Sequence, residues 1–230
     1  LCTGGERKAL TMEKVFKTFL PNSRDKYIQT HQRETAHPYF SGTPYDDLLQ
    51  GHSTRFLEFC PGRIIFLYRN PLDYTVSRFF YNYQFKENPK TGKNHAHPRE
   101  CFEIALTYYG GHYGMVKKLF SKGNILPIAY EDLITAPECA FGGAVAWLGL
   151  PMNRELLAEA VRFSARTEVK KQEEKTGLLN KSHRPSPLVR SGKIGQWKEF
   201  FDETDLERVS TLLANYGIDL EEFRLEAPKT

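Results

Sequence analysis

Residues 63–82, RIIFLYRNPLDYTVSRFFYN, constrain the fold more than any other part of the chain. A short apolar run, Ile64–Tyr68, ends at Arg69, and apolar residues at helical spacing follow Asn70-Pro71. Asn favours the capping position of a helix and Pro favours its first turn, so the pattern predicts a buried strand, a tight turn and a helix. Ligands of α/β sheets collect where strands end and helices begin, and a guanidinium beside a helix N-terminus suits a phosphate. An ordinary salt bridge at a strand–helix joint is the alternative for Arg69.

Strands and helices alternate along the rest of the chain, without an internal repeat. This alternation predicts an α/β protein with a parallel sheet. Residues 164–196 are polar and basic with little periodicity, which indicates either a linker or a loop that covers a ligand. Short apolar runs predict strands over 26–30, 64–68 and 125–129. Helical periodicity predicts helices over 8–20, 71–87, 100–122, 138–148, 154–163 and 204–216. The Gly110-Gly111 pair would interrupt the helix over 100–122. Thr204 and Glu207 would form a capping box at the start of the last helix.

Composition excludes several classes of function. The 230 residues suffice for one large domain with a full core, and 40% hydrophobic and 26% charged residues are ordinary for a globular protein. A net charge of +4 fits an anionic small ligand but is too diffuse to favour nucleic acid. No apolar run has the length of a transmembrane segment. The four cysteines are scattered and lack metal-ligand spacing, so we expect no metal site and a reducing, cytoplasmic location.

Two segments together resemble a known family. Arg69 and Ser77 have the spacing of the 3′-phosphate-binding motif of sulfotransferases that use 3′-phosphoadenosine 5′-phosphosulfate (PAPS). In that family an Arg at a strand end and a Ser eight residues later hold the 3′-phosphate. The segment from Arg190 through Ser191 and Gly192 to Phe201 resembles the family motif Arg-Lys-Gly-x-x-Gly-x-Trp-Lys-x-x-Phe, with Ser191 in place of the usual Lys.

The second segment also has a physical interpretation without the family. Glycines let backbone N–H groups approach an anion closely, and Arg190 can bind a phosphate bidentately. Trp197 would anchor the loop on the core. A surface loop that contains glycines and a buried Trp is the alternative.

Two further positions carry weaker resemblance. Tyr130, at the end of the strand over 125–129, matches the family Tyr that packs at the adenine. Ser164 matches a hydroxyl that contacts the nucleotide base, although Arg166 stands where the family has an aromatic residue. The acidic residues Glu131 and Asp132 are expected to cap the helix that follows Tyr130 and not to bind ligand.

His31 is the candidate catalytic residue. The segment YIQTHQR, residues 27–33, resembles the family segment Lys-Thr-His at the tip of a core strand, with Gln29 in place of the Lys. In the family this His removes the proton from the acceptor hydroxyl while the sulfuryl group moves. A base with a pKa near neutrality suits that step.

One family element has no counterpart. The family carries a phosphate loop near its N-terminus, typically Pro-Lys-Ser-Gly-Thr-Thr-Trp, which cradles the 5′-phosphosulfate. Two explanations stay open: the loop lies upstream of Leu1, which we favour, or the segment from Thr3 to Lys8 is a divergent version.

The resemblance implies a P-loop-kinase-like three-layer α/β fold, with a central parallel sheet and helices on both faces. Residues 1–230 would form a single sulfotransferase-like domain that lacks its first strand and its phosphosulfate loop. The implied activity is transfer of a sulfuryl group from PAPS to a hydroxyl of a small-molecule, lipid or carbohydrate acceptor, with adenosine 3′,5′-bisphosphate as product and without a metal. The aromatic residues Phe79, Phe80, Tyr81, Tyr83 and Phe85 would supply an apolar acceptor wall or belong to the core.

Two rival functions remain at this point. One is a non-catalytic nucleotide-binding protein of sulfotransferase descent, which the missing loop and Gln29 would favour. The other is a nucleotide kinase on the related fold, which would need a Gly-Lys-Ser/Thr loop that the sequence does not contain.

Overall fold

The structure, a computed structural model, divides the chain into two compact units. We call them the strand unit, Gly62–Ala140 with Gly177–Thr230, and the helical unit, Leu1–Pro61 with Phe141–Thr176, and both names refer to their described residues alone. The residues that the structure describes are 62–85, 87–88, 93–176 and 190–223. The helix predicted over 8–20 and the strand predicted over 26–30 therefore lie outside the described residues.

The described residues contain the helices and strands that the sequence pattern predicts for them, together with several that it does not predict. In chain order they are β1 (Ile64–Tyr68), α1 (Pro71–Tyr81), β2 (Glu87–Asn88), β3 (Lys93–Asn94), α2 (Phe102–Leu119), β4 (Ile125–Ala129), α3 (Tyr130–Thr135), α4 (Pro137–Trp147), α5 (Arg154–Ser164), α6 (Arg166–Thr176) and α7 (Glu203–Ala214). Short 3₁₀ turns, among them Gln196–Glu199 and Leu220–Glu222, lie between some of these elements.

Strands β1 and β4 form a parallel pair at the positions that the sequence predicts. In the register of this pair, Tyr68 lies opposite Ala129. Parallel strands end at one edge of a sheet, so the residues that follow Tyr68 and Ala129 leave the sheet side by side. This edge is where the candidate site forms.

Helix α1 is shorter than predicted. It ends at Tyr81 and not near Glu87, because the backbone of Asn82 leaves the helical region at φ −140°, although the N–H of Asn82 still donates to the carbonyl of Arg78. The segment 88–98, in which the sequence pattern predicts neither a helix nor a strand, contributes residues to the antiparallel pair β2–β3. Strands of two residues are too short to produce an alternating pattern, so no sequence signal predicts them.

Helix α2 runs without a break through Gly110 and Gly111, contrary to the interruption we considered. The reason lies in packing. A Cβ atom at Gly110 would come within 2.3 Å of the Tyr216 ring, and one at Gly114 within 2.7 Å of the Tyr216 carbonyl oxygen. The absence of side chains at these two positions therefore lets α2 approach the chain that follows α7.

The core of the strand unit joins α1, α2 and α7 with the residues around Trp197. Phe79 and Tyr83, two members of the candidate acceptor wall, are buried in a smaller cluster with Cys101 and Ala105. For these two residues, the structure agrees with the core interpretation. The main cluster contains Leu72, Val76, Phe102, Leu106, Tyr109, Tyr113, Trp197, Phe201, Val209, Leu213, Ile218, Leu220 and Phe223.

The N-terminus of α7 is capped differently from the prediction. Asp202 is the capping residue and forms a capping box with Asp205, so the predicted capping box of Thr204 and Glu207 is wrong. The helix begins one residue earlier than predicted, which places the Asp202 carboxylate where it accepts the N–H of Asp205. Arg99 donates to both carboxylates, at 2.6 Å to Asp202 and 2.8 Å to Asp205, and ties the start of α7 to the start of α2.

The described part of the helical unit contains the end of α4 and the helices α5 and α6. Asn153 caps α5 by accepting the N–H of Leu156 at 3.0 Å. Helix α6 falls in the segment 164–196 that we predicted to be a linker or loop, and for this part the prediction is wrong. Its strong helix formers include Glu168 and Lys171, which form an ion pair at 2.7 Å, but it lacks the apolar stripe that periodicity detects.

Candidate anion-binding site

The ends of β1 and β4 bring two predicted site residues into contact. Arg69 follows β1 and Tyr130 follows β4, and the guanidinium carbon of Arg69 lies 4.4 Å from the centre of the Tyr130 ring. A cation over an aromatic face is attracted by the ring quadrupole, so Tyr130 helps to fix the direction of the guanidinium. The backbone carbonyl of Arg69 accepts a hydrogen bond of 2.6 Å from the buried Tyr109 hydroxyl on α2. The strand tip is therefore held from two sides.

The first turn of α1 places the next group of side chains. Asn70 caps the helix as predicted and accepts the N–H groups of Leu72 at 2.9 Å and Asp73 at 3.3 Å. The backbone N–H of Asn70 donates at 3.0 Å to the buried carboxylate of Glu131. Ser77 follows on an exposed position of the same helix.

The predicted role of the acidic pair after Tyr130 is wrong. Helix α3 begins after Ala129, which makes no side-chain cap. Because Tyr130 is already the first residue of that helix, Glu131 lies inside the first turn, and its carboxylate reaches back to the neighbouring strand tip at Asn70. Neither residue of the pair caps α3, and neither carboxylate lines the cavity described below.

The segment 190–197, which we call the cationic loop, lies against the two strand tips. Gly192 and Gly195 have φ values of 59° and 72°, in the left-handed region that favours glycine. The carbonyl of Gly192 accepts from the Tyr130 hydroxyl at 3.1 Å, and the carbonyl of Lys193 accepts from Nη2 of Arg69 at 2.6 Å. The loop thus binds the two strand tips through its carbonyl groups.

The N–H groups of the same loop bind Asp73. Its Oδ2 accepts from the N–H of Gly195 at 2.7 Å and its Oδ1 from the N–H of Trp197 at 3.0 Å. Nη2 of Arg69 lies 3.5 Å from Oδ2, so the ordinary salt bridge considered for Arg69 is present as well. An acidic residue in the first turn of a helix indicates by itself only that it complements the helix dipole, so the sequence carries no local signal for a contact across 122 residues.

Gln196 is a second residue that sequence reasoning missed. Its Oε1 accepts from Nη2 of Arg190 at 2.6 Å and from Oγ of Ser191 at 2.7 Å. The Arg190 guanidinium also lies over the Phe80 ring, 3.8 Å from its centre. Gln196 occupies a position that varies in the motif, which is why the resemblance did not single it out.

Six of the eight predicted site residues line one cavity of about 230 Å³. Two cations face this cavity. Burial and the nearby guanidinium of Arg69 lower the pKa of Arg190, whereas Glu199 opposes the shift. The lining residues are Arg69, Asp73, Ser77, Tyr130, Arg190, Ser191, Gly192 and Gln196. The two guanidiniums outweigh the single carboxylate of Asp73, so together with the hydroxyl groups they form an environment that suits a bound anion.

The other two predicted residues are not in this group. Ser164 ends α5 in the helical unit, where its hydroxyl donates to the carbonyl of Ala160 at 2.7 Å. His31 lies outside the described residues, as does the segment from Thr3 to Lys8. Their roles stay predictions.

A second cavity, of about 210 Å³, lies near the same sheet edge and has the opposite charge. The carboxylates of Glu131, Asp132 and Glu222 line it together with Tyr68 and Phe223. Glu131 is bonded to Asn70, and Glu222 to Lys117. No group of three or more His, Cys, Asp or Glu side chains in the described ranges has the arrangement of a metal site.

The chain belongs to the sulfotransferase family: the family model described as Sulfotransferase domain matches residues 57–216. The family resemblance seen in the motifs is thereby confirmed. Sulfotransferase 1B1 of Mus musculus is 26% identical over 157 residues, which cover 64% of this chain and 51% of the relative. Cytosolic sulfotransferase 1 of Danio rerio is 27% identical over 173 residues, which cover 69% of this chain and 57% of the relative. The chain thus spans about half the length of the curated relatives it matches.

Solved structures show the same fold. Mouse sulfotransferase SULT7A1 complexed with PAP gives a TM-score of 0.58 at 16% identity, with 93% of this chain and 94% of that chain covered. Retinol dehydratase in complex with androsterone and inactive cofactor PAP gives a TM-score of 0.58 at 17% identity, with 81% and 57% covered. The predicted P-loop-kinase-like α/β fold is confirmed. Among the helices of the described residues, none combines the length and apolar character that crossing a bilayer requires.

Proposed function

We propose that this protein is a sulfotransferase that moves a sulfuryl group from PAPS to a hydroxyl of a small acceptor, and that the cavity between Arg69 and Arg190 holds the 3′-phosphate of the nucleotide. The observation that supports this most is the pair of guanidiniums beside the Ser77 hydroxyl at one sheet edge. Two like charges held together destabilise each other, and a phosphate dianion between them would remove that cost.

A buried, unpartnered atom supports the same assignment. In the described part of the chain, Nε of Arg69 is buried and has no hydrogen-bond acceptor. A guanidinium carries donors in a fixed fork that matches phosphate oxygens, and a buried donor without an acceptor is costly. The residues present therefore fit an anionic group.

Each lining residue has a role in this proposal. Arg69, Arg190 and the Ser77 hydroxyl bind the 3′-phosphate, and Ser191 and Gly192 complete the loop beside it. Tyr130 packs at the adenine. Ser164 contacts the base, a role that rests on the motif alone. When PAPS is bound, it supplies the activated sulfuryl group.

We propose His31 as the general base, again from the motif alone. In the transfer step a bond forms between the acceptor oxygen and sulfur, and the bond between sulfur and the 5′-phosphate oxygen breaks. The acceptor proton passes to His31, and adenosine 3′,5′-bisphosphate leaves. His31→Ala should lower turnover by about 10²–10⁴ while bisphosphate affinity stays nearly unchanged, because the base acts on the acceptor. Near-full turnover in the variant would remove His31 from the mechanism.

Calorimetry tests the nucleotide site directly. Adenosine 3′,5′-bisphosphate should bind more tightly than adenosine 5′-monophosphate, because only the former carries the 3′-phosphate. Arg69→Ala should remove about 2–4 kcal/mol of bisphosphate binding, while Arg99→Ala serves as the control because Arg99 pairs with Asp202 away from the cavity. Equal binding of both nucleotides would refute the site.

Turnover separates the enzyme from a non-catalytic binding protein. PAPS is incubated with a panel of phenols, steroids and other alcohols, and release of adenosine 3′,5′-bisphosphate is followed. Androsterone and retinol belong in the panel because retinol dehydratase, whose fold this chain shares, was solved with each of them. Tight bisphosphate binding without release across the panel would favour the non-catalytic protein.

A further inference from the structure

We propose that Asp73 is a positioning residue that holds the cationic loop beside the β1 tip before any ligand binds; this inference rests on the proposed nucleotide site. The Asp73 residue is 1% exposed. Both of its carboxylate oxygens accept loop N–H groups, from Gly195 at 2.7 Å and from Trp197 at 3.0 Å. Charge-assisted bonds of this kind are about twice as strong as neutral ones.

The position of Asp73 follows from its place in the sequence. It comes four residues after Arg69, so the first turn of α1 returns its carboxylate to the strand tip, where Nη2 of Arg69 lies 3.5 Å away. The same guanidinium nitrogen donates to the carbonyl of Lys193. Arg69 is therefore held between the carboxylate and the loop.

Asp73 also offsets the repulsion between the guanidiniums of Arg69 and Arg190. Arg69 and Arg190 line the same cavity, and their mutual repulsion would separate the cationic loop from the strand tip in the absence of ligand. Among the described residues that line this cavity, Asp73 carries the only negative charge. Its carboxylate attracts the Arg69 guanidinium and fixes the loop backbone at the same time.

This arrangement changes the role of the loop glycines. The N–H group of Gly195, a glycine that the sequence analysis expected to approach an anion, donates instead to the Asp73 carboxylate, and so does the N–H group of Trp197. The nucleotide phosphate is left with the guanidiniums and hydroxyl groups. Asp73 thus acts through the loop and does not touch the ligand.

The test compares Asp73→Asn with Leu213→Ala. Asp73→Asn keeps the size of the side chain but loses the charge and one of the two acceptors. Leu213 is fully buried in the main core cluster of the strand unit and does not line the cavity. Leu213→Ala therefore shows how a general loss of stability alone affects nucleotide binding. Affinities for adenosine 3′,5′-bisphosphate and adenosine 5′-monophosphate are measured for both variants, together with melting temperatures.

We expect both variants to melt earlier than the wild type, but only Asp73→Asn to lose preference. Its ratio of bisphosphate to monophosphate affinity should fall at least tenfold, whereas Leu213→Ala should keep the wild-type ratio. An unchanged ratio in Asp73→Asn, with a normal preference in the wild type, would overturn the role of Asp73 alone. A wild type without any preference would overturn the proposed nucleotide site and this inference with it.

A measurement on the wild type covers the case in which Asp73→Asn does not fold. Hydrogen exchange resolved at single residues should show the N–H groups of Gly195 and Trp197 protected in the ligand-free protein, as strongly as amides in the middle of α1. If these two amides exchange as fast as amides in an unstructured peptide, Asp73 does not hold the loop and the inference is refuted.

Discussion

Three glycines of helix α2 provide a sharp test of the packing that supports the strand unit. We consider replacing Gly110, Gly111 and Gly114 by alanine, one at a time. A Cβ atom at Gly111 meets no other atom within 4 Å. At Gly110 it would lie 2.3 Å from the Tyr216 ring, and at Gly114 it would lie 2.7 Å from the Tyr216 carbonyl oxygen. Two of the three substitutions therefore force atoms apart, and the third does not.

The magnitudes follow from two opposing effects. Alanine in place of glycine inside a helix contributes about 1 kcal/mol at each of the three positions. Overpacking costs about 1–3 kcal/mol where neighbouring atoms must move. Gly111→Ala should thus raise the free energy of unfolding by about 0.5–1 kcal/mol. At Gly114 the overpacking cost lies at the upper end of this range, about 2–3 kcal/mol, because a backbone carbonyl cannot rotate away, so Gly114→Ala should lower the free energy of unfolding by about 1–2 kcal/mol. Gly110→Ala should fall between the other two because the Tyr216 ring can tilt.

Urea denaturation followed by circular dichroism measures these differences. The expected gap between Gly111→Ala and Gly114→Ala is about 2 kcal/mol, which corresponds to roughly 4–8 °C in melting temperature for a chain of this size. The slope of the free energy with urea should stay constant across the series. If Gly114→Ala stabilises the protein as much as Gly111→Ala does, the close approach of α2 to Tyr216 is refuted.

Three further substitutions test the site and the core. Trp197→Ala should lower the free energy of unfolding by about 3–5 kcal/mol and weaken nucleotide binding, since Trp197 ends the cationic loop and is 6% exposed; unchanged urea stability would contradict this. Tyr130→Phe removes the hydroxyl that donates to Gly192, and calorimetry should record a loss of about two- to tenfold in bisphosphate affinity, whereas full affinity would show that this bond is dispensable. Burial raises the pKa of Cys101 from 9.0 to about 12, so its contribution to stability is present below pH 9 and is lost as the pH rises toward 12. Above pH 9 the free energy of unfolding should therefore fall less steeply with pH in Cys101→Ala than in the wild type, by up to about 1.4 kcal/mol per pH unit. The same slope in both proteins would contradict this prediction.

The parts of the fold that could be predicted are those that depend on local pattern. The β1 strand, the turn at Asn70-Pro71 and the start of α1 follow from apolar spacing and capping preferences within about ten residues. The end of α1 did not, because it depends on the backbone of Asn82, where no proline or glycine marks the change. The sequence pattern missed helix α6 because Val169 is the single apolar residue in its sequence, and periodicity detects only an apolar face.

The candidate site divides in the same way. Arg69 and Ser77 could be predicted as site residues because the tight turn at Asn70-Pro71 and two turns of helix α1 set the spacing between them. Arg190 could be predicted because the motif around it has glycines at fixed positions. Asp73 and Gln196 act by accepting hydrogen bonds, and Asp73 accepts them from residues more than 120 positions away. Nothing near Asp73 in the sequence signals those partners, since an acidic residue in a first helical turn is common for the dipole alone.

The parallel register of β1 and β4 sets where this protein can change in length. Both strands deliver their following residue to one point, so an added residue within β4 would displace Tyr130 by about 3.3 Å and turn the strand's side chains to the opposite face. An insertion between β2 and β3 moves neither strand end. A change of length between β2 and β3 is thus expected to be tolerated, whereas the gain or loss of a single position within Ile125–Ala129 is expected to disrupt the site.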